Sequence, residues 1–211
     1  MNLNYLKQFL MSPGCLKCGS FFIEETLFCK ICFTEEIEPR INAMKVSHVE
    51  KNRHFYLLEW FKNDGFFIDQ LVYRLKSDNS PAAWAFYSKL LKYLCPVNFK
   101  NYHAIVPIPG SKSSSVHSLV FAQELAKLTG LPVLTLLQKN NSFEEQKKGT
   151  AAQRSRQKMA CVKEQKFEQF TKFVFVDDVL TTGQSFFQSN LALNGQFENI
   201  ILTLFYRPKL Q

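Results

Sequence analysis

The stretch that most constrains this 211-residue chain is residues 173–185, Phe-Val-Phe-Val-Asp-Asp-Val-Leu-Thr-Thr-Gly-Gln-Ser. The aromatic and β-branched run at 173–176 predicts a buried strand. It leads into two adjacent carboxylates, Asp177 and Asp178, and then a short turn. After the turn, Phe187 and Leu191 stand four apart and Gly195 follows, which predicts a helix with a glycine stop. The first N–H groups of such a helix have no intrahelical partner and face an anion, and the helix dipole adds to the attraction. Thr181, Thr182 and Ser185 add hydroxyl donors, and Gly183 lets the backbone approach a ligand closely. Capping the helix would take one such residue, whereas six polar residues line up between positions 177 and 185.

A phosphate loop does not by itself call for two carboxylates, because like charges repel. The pair makes sense if the ligand also carries hydroxyls to donate, as a ribose does: the 5′-phosphate in the loop and the 2′- and 3′-hydroxyls on the two aspartates. Residues 176–185 in this order resemble the ribose-5-phosphate signature of the type I phosphoribosyltransferases, an acidic pair followed by x-x-Thr-Thr-Gly-x-Thr/Ser. The resemblance implies a site for phosphoribosyl pyrophosphate with Mg²⁺, built from Asp177, Asp178, Val179, Leu180, Thr181, Thr182, Gly183, Gln184 and Ser185. A Walker A loop, G-x-x-x-x-G-K, is absent.

The amino-terminal part carries a second pattern. Cys15-x2-Cys18 and Cys29-x2-Cys32 are separated by ten residues. Two residues between thiolates let both sulfurs of a knuckle reach one tetrahedral ion, and two knuckles complete a four-cysteine site. Gly19 suits the tight turn that a knuckle needs. So short a unit, with few apolar residues, would draw its stability from the metal. Structural zinc fits the spacing, and a rubredoxin-like iron site uses the same ligands. A closed four-thiolate site has no open position for chemistry. The expected organisation is a zinc module over residues 1–40 and an α/β domain over 41–211.

Charge bears on partners. The net charge of +8 and pI of about 9.2 suit an anionic one: a polyphosphate ligand, nucleic acid or an acidic membrane surface. No apolar run approaches a membrane span and no secretory signal is evident, so a cytoplasmic location is expected.

The remaining chain alternates strands with helices. Strands are expected at 103–109, 132–137, 173–176 and 199–206, and helices at 82–94 and 116–128. This spacing implies a mostly parallel sheet flanked by helices. Ligands on such sheets bind outside the carboxyl ends of the strands. The segment 110–115, with Lys112, reads as a second anion loop at such an end. Residues 41–69 give no clear pattern, and His48, Arg53 and His54 read as surface residues or satisfied buried side chains. Lys147, Lys148, Arg154 and Arg156 crowd a polar stretch, 138–169, that is either a solvated face or a basic flap over a polyphosphate or nucleic-acid backbone.

Taken together, the four cysteines, Tyr73-Arg74-Leu75-Lys76, Val106-Pro107-Ile108-Pro109, residues 143–162 with Gln146 and Arg154, and residues 176–185 resemble the ComF-type competence proteins over nearly the whole chain. Such proteins join a four-cysteine zinc module to a type I phosphoribosyltransferase domain. The resemblance implies a role in natural transformation, with single-stranded DNA handled on the cytoplasmic side of the inner membrane. A competence helicase and recombination mediators would be its partners. The other reading is a working phosphoribosyltransferase, in which a nitrogen nucleophile displaces pyrophosphate. Lys112 with Mg²⁺ would then hold the pyrophosphate, and Lys147, Lys148, Arg154 and Arg156 would close over it.

Overall fold

A computed structural model describes residues 14–41, 43–49, 51–61, 66–77, 80–110, 116–139, 159–162, 171–193 and 198–208. Beyond the cysteine unit the order is β1 (Lys45–Val49), β2 (Asn52–Glu59), α1 (Phe66–Ser77), α2 (Pro81–Leu94), β3 (Ala104–Pro107), α3 (His117–Thr129), β4 (Leu137–Lys139), β5 (Met159–Cys161), β6 (Lys172–Leu180), α4 (Gln184–Ala192) and β7 (Glu198–Tyr206). A five-stranded sheet has the order β1-β2-β7-β6-β3, and β4 with β5 forms a separate antiparallel ribbon. The pairings of β2 with β7, β7 with β6 and β6 with β3 are parallel, and β1 alone runs antiparallel. The fold is thus a mixed α/β architecture around a mostly parallel sheet. Among the described residues no helix is long and apolar enough to cross a membrane.

The sheet is buried on both faces, and the sequence of β6 shows why. Successive side chains of a strand point to opposite faces. Val174 and Val176 therefore join one cluster with Ile105, Trp84, Phe121 and Leu125, under α2 and α3. Phe173 and Phe175 join another with Val106, Ile201, Phe186 and Leu193, under α4. Four apolar residues in succession are what a strand covered on two sides requires.

Several boundaries differ from the sequence expectation. The strand placed at 173–176 continues to Leu180, because the ladder to β7 runs on past the carboxylates through Asp177–Thr203 and Val179–Phe205. The strand expected at 132–137 reduces to one bridge, Ile105 to Val133. Pro132 there offers only its carbonyl, which accepts from the Ile105 N–H at 2.9 Å. The unread stretch 41–69 holds β1, β2 and the start of α1. Helix α4 ends at Ala192, and Gly195 lies outside the described residues.

The cysteine unit packs on α2. Phe28 and Ile37 are fully buried in the same cluster as Trp84 and Tyr87, and the Tyr87 hydroxyl donates to the Thr26 carbonyl at 2.9 Å. Helical turns over residues 30–40 then lead toward β1.

Candidate functional site

The site lies at the carboxyl end of β6, where the strand hands over to α4. Gly183 caps α4 with φ +74°, a left-handed conformation that costs a residue with a Cβ about 1–2 kcal/mol. Space closes the position as well: a Cβ there would stand 2.5 Å from Val49 Cγ1. The Gln184 N–H points toward Thr182 Oγ1 at 3.4 Å, and the Thr181 and Thr182 side chains are exposed. A cleft of about 340 Å³ opens over this loop, lined by Thr181, Thr182, Gly183, Gln184 and Tyr206, with His48 from β1 on its far side.

Asp177 and Asp178 stand on β6 just ahead of this loop, outside the lining of the cleft. The Asp178 N–H donates to Asp177 Oδ1 at 2.9 Å. Burial of the Asp177 carboxyl raises its pKa well above the ordinary 3.8, and the charge and hydrogen bond of Asp178 raise it further, against a weaker lowering by Lys76. The residue as a whole keeps some exposure, so it is the carboxylate oxygens that are desolvated. Two adjacent carboxylates at a strand end can accept from a pair of adjacent hydroxyls.

Two lysines complete the electrostatics. Lys76, at the end of α1, sets its ammonium 2.9 Å from Asp178 Oδ2. That contact is ionic and off the hydrogen-bond direction, so the buried Oδ2 receives no hydrogen bond from the described residues. Lys139, at the end of β4, lies near Asp177. Burial lowers its pKa while the Asp177 charge works the other way.

The positions read from the sequence divide as follows. Asp177, Asp178, Thr181, Thr182, Gly183, Gln184 and Ser185 all lie at the strand end or the start of α4. Val179 and Leu180 close the strand, and Leu180 also lines the cleft. Val179 packs on the first cluster and Leu180 on the second, and the Leu180 carbonyl accepts from the Arg207 N–H at 2.8 Å. Lys112, Lys147, Lys148, Arg154 and Arg156 lie outside the described residues. On either side of residues 140–158, β4 and β5 pair in register from Leu137–Cys161 to Lys139–Met159. Sequence reasoning missed Lys139 and His48 as neighbours of the site and gave Lys76 no role. Their contacts are set by tertiary packing, and no local spacing announces them.

The four cysteines converge. Their sulfurs all lie within 4.8 Å of one another, and Cys18 Sγ is 3.7 Å from Cys29 Sγ. Tetrahedral thiolates 2.3 Å from an ion stand about 3.8 Å apart, so this donor set could hold zinc. Burial raises the Cys15 thiol, but N–H groups of Cys18, Cys29 and Lys17 outweigh it and bring the pKa down to about 6. Backbone N–H donors to sulfur favour the thiolate that a metal needs. Burial and its three neighbouring thiols push Cys32 up. Gly19 takes φ +73° in the first knuckle, whose turn is closed by the Gly19 N–H donating to the Cys15 carbonyl at 2.8 Å.

No protein-family model matches the chain, and no curated protein matches it. Solved structures similar to it include the allosteric regulatory enzyme of purine biosynthesis, at 19% identity and TM-score 0.39, over 60% of this chain and 26% of that one. Another is adenine phosphoribosyltransferase from Leishmania tarentolae, at 12% identity and TM-score 0.39, over 77% of this chain and 94% of that one. Likenesses of this strength carry no inference about the chemistry of this chain.

Proposed function

We propose that the chain binds phosphoribosyl pyrophosphate at the end of β6. The 5′-phosphate sits in the 181–185 loop and the ribose 2′- and 3′-hydroxyls donate to Asp177 and Asp178. The observation that carries this reading is the carboxylate pair, joined by the Asp178 N–H donating to Asp177 Oδ1 at 2.9 Å, standing directly ahead of a helix that opens on Gly183. A plain phosphate loop has no use for the pair. Asp178 Oδ2 takes no hydrogen bond from the described residues and pairs ionically with Lys76, so a ribose hydroxyl would take the place of that ammonium. Mg²⁺ arriving with the ligand would neutralise pyrophosphate charge. Lys76 and Lys139 are the described cations placed to assist. In the cysteine unit, zinc is the ion that the four sulfurs fit, in a structural role.

The wider role follows the resemblance to ComF-type proteins: handling single-stranded DNA on the cytoplasmic side of the inner membrane during natural transformation, alongside a competence helicase and recombination mediators. The net charge of +8 supports a nucleic-acid partner. A second reading, phosphoribosyl transfer with release of pyrophosphate, is favoured by the β4–β5 ribbon. Its Lys139 lies near Asp177, and the basic residues that follow in the sequence could supply charge for the leaving pyrophosphate.

Calorimetric titration with phosphoribosyl pyrophosphate and Mg²⁺ tests the first reading. Replacing both aspartates by Asn should weaken binding about a hundredfold, through lost charge-assisted hydrogen bonds. Equal binding by wild type and the double variant would remove the basis for the proposal. Pyrophosphate release on adding nucleobases decides the second reading, and release that survives the double substitution would speak against it.

A further inference from the structure

Helix α2 is apolar on more of its circumference than the core uses. Ala83, Trp84, Tyr87, Ser88 and Leu91 form its buried face. Ala85, Phe86, Leu90 and Tyr93 follow the same helical spacing on the opposite face, with Lys89 as the one charge among them. A helix with one face in water normally carries polar residues there, and one that is apolar all round is covered all round. Those five residues, together with Glu25 of the cysteine unit, line a cleft of about 430 Å³. The Phe33 ring closes one side of it, edge-on to Phe86 at 5.5 Å. Tyr93 remains 81% exposed.

The loop that brings Glu25 to this cleft is fixed on α2. Its Thr26 carbonyl accepts from the Tyr87 hydroxyl at 2.9 Å, and the Thr26 hydroxyl accepts from the Phe28 N–H at 3.1 Å. Just ahead of Glu25 the same loop carries Phe21 and Phe22, which are 80% and 87% exposed. With Tyr93 they leave roughly 500 Å² of aromatic surface in water, counted at about 200 Å² for each side chain. Soluble monomers rarely leave so much apolar surface together. Glu25 and Lys89 are both exposed, and neither forms a salt bridge with a described residue.

We propose that this face joins two copies of the chain. The apolar cleft calls for an apolar projection flanked by one acid and one base, and the molecule carries that projection on the loop beside it. A two-fold axis sets the Phe21–Phe22 loop of each copy against the α2 cleft of the other. Glu25 then faces the partner subunit's Lys89, and Lys89 faces the partner subunit's Glu25. The contact is made twice, so the aromatic side chains alone bring about 1,000 Å² to the interface, the area that a specific interface needs. One acid and one base on the cleft make it complementary in charge to itself, although the chain as a whole carries +8. The inference does not depend on phosphoribosyl pyrophosphate binding at the end of β6.

Sedimentation equilibrium of the full chain over a range of concentrations tests the proposal. The expected species is a dimer, at twice the 24.5 kDa of the chain. Glu25→Lys alone, and Lys89→Glu alone, should each weaken association at least about tenfold, because each sets lysine against lysine or glutamate against glutamate at both contacts. An equal mixture of the two variants should associate as wild type does, since both contacts of the mixed dimer again join opposite charges. Phe22→Ser should weaken association at least about tenfold with no charge changed. Three results would overturn the proposal. The first is a single species of 24.5 kDa at every concentration, which would leave the cleft to another occupant. The second is a dimer indifferent to all three substitutions, which would lie on another face. The third is a mixture of the two charge variants that associates no better than either alone.

Discussion

Asp177 shows how the site is set against the stability of the fold. Burial and the neighbouring Asp178 raise its pKa above the ordinary 3.8. An acid with a raised folded-state pKa binds more protons folded than unfolded. Its contribution is therefore full below the unfolded value and is lost as pH rises through the folded one. The Asp177→Asn variant should be more stable than wild type above that window, by about 1 kcal/mol, and flatter in its pH dependence. Denaturant midpoints measured across pH would check this, and a variant less stable than wild type at pH 8 would contradict it. His54 follows the opposite rule. It is fully buried, and burial lowers its pKa to about 3. The Thr203 hydroxyl donates to the Phe205 carbonyl at 2.9 Å and so accepts from His54 Nε2–H at 2.8 Å, leaving Nδ1 to accept from Ser47 Oγ at 2.7 Å. The ring is therefore neutral. Its stabilising contribution is lost as pH falls from the ordinary 6.5 toward about 3. NMR titration should find no protonation of His54 between pH 5 and 8. A satisfied buried histidine was one of the two readings its sequence position allowed; its two hydroxyl partners, Ser47 on β1 and Thr203 on β7, were not legible.

Among the elements, α4 and its opening glycine should be the most sensitive to a single methyl group. Gly183→Ala meets both the left-handed φ of +74° and Val49 Cγ1 at 2.5 Å. The expected cost is about 2 kcal/mol, of which Val49→Ala in the same chain should recover the steric part and not the conformational part. Thermal melts of the single and double variants separate the two. The cysteine unit makes a different prediction. Its fully buried Phe28 and Ile37 pack on α2, and a zinc ion on the four converging sulfurs would hold the turns between them. Removing the metal with a chelator should unfold residues 14–41 and free the Tyr87 hydroxyl from Thr26, visible as new hydrogen exchange in that segment. Full protection after the metal is stripped would refute a structural metal. The elements most legible in the sequence were those with strong local chemistry: the Phe-Val-Phe-Val strand, α2 behind Pro81, and α3 stopped by Gly130. Strand β2 escaped because its five central residues are all buried, which leaves no polar alternation to read. The ribbon escaped because three-residue strands carry no period.

The molecule as a whole places two polar ends on one parallel sheet. The carboxyl ends present Asp177, Asp178 and the start of α4, and the amino ends present Lys51, Arg53 and Lys172. The first was legible because its ligating groups are contiguous in the chain. The second was not, because Lys51, Asn101 and Lys172 meet only after β2, β7 and β6 pair. Lys76 joins the site in the same way, from a helix on the other side of the sequence. In the free protein its ammonium holds Asp178 Oδ2, the atom that the ribose hydroxyl would take. The most direct test of the central claim is a crystal structure with phosphoribosyl pyrophosphate and Mg²⁺ bound. The ribose hydroxyls should lie within hydrogen-bond distance of Asp177 and Asp178 and the 5′-phosphate within reach of the 181–185 N–H groups, with Lys76 turned away from Asp178. A ligand found elsewhere on the molecule, with the Lys76–Asp178 pair intact and the loop empty, would contradict it.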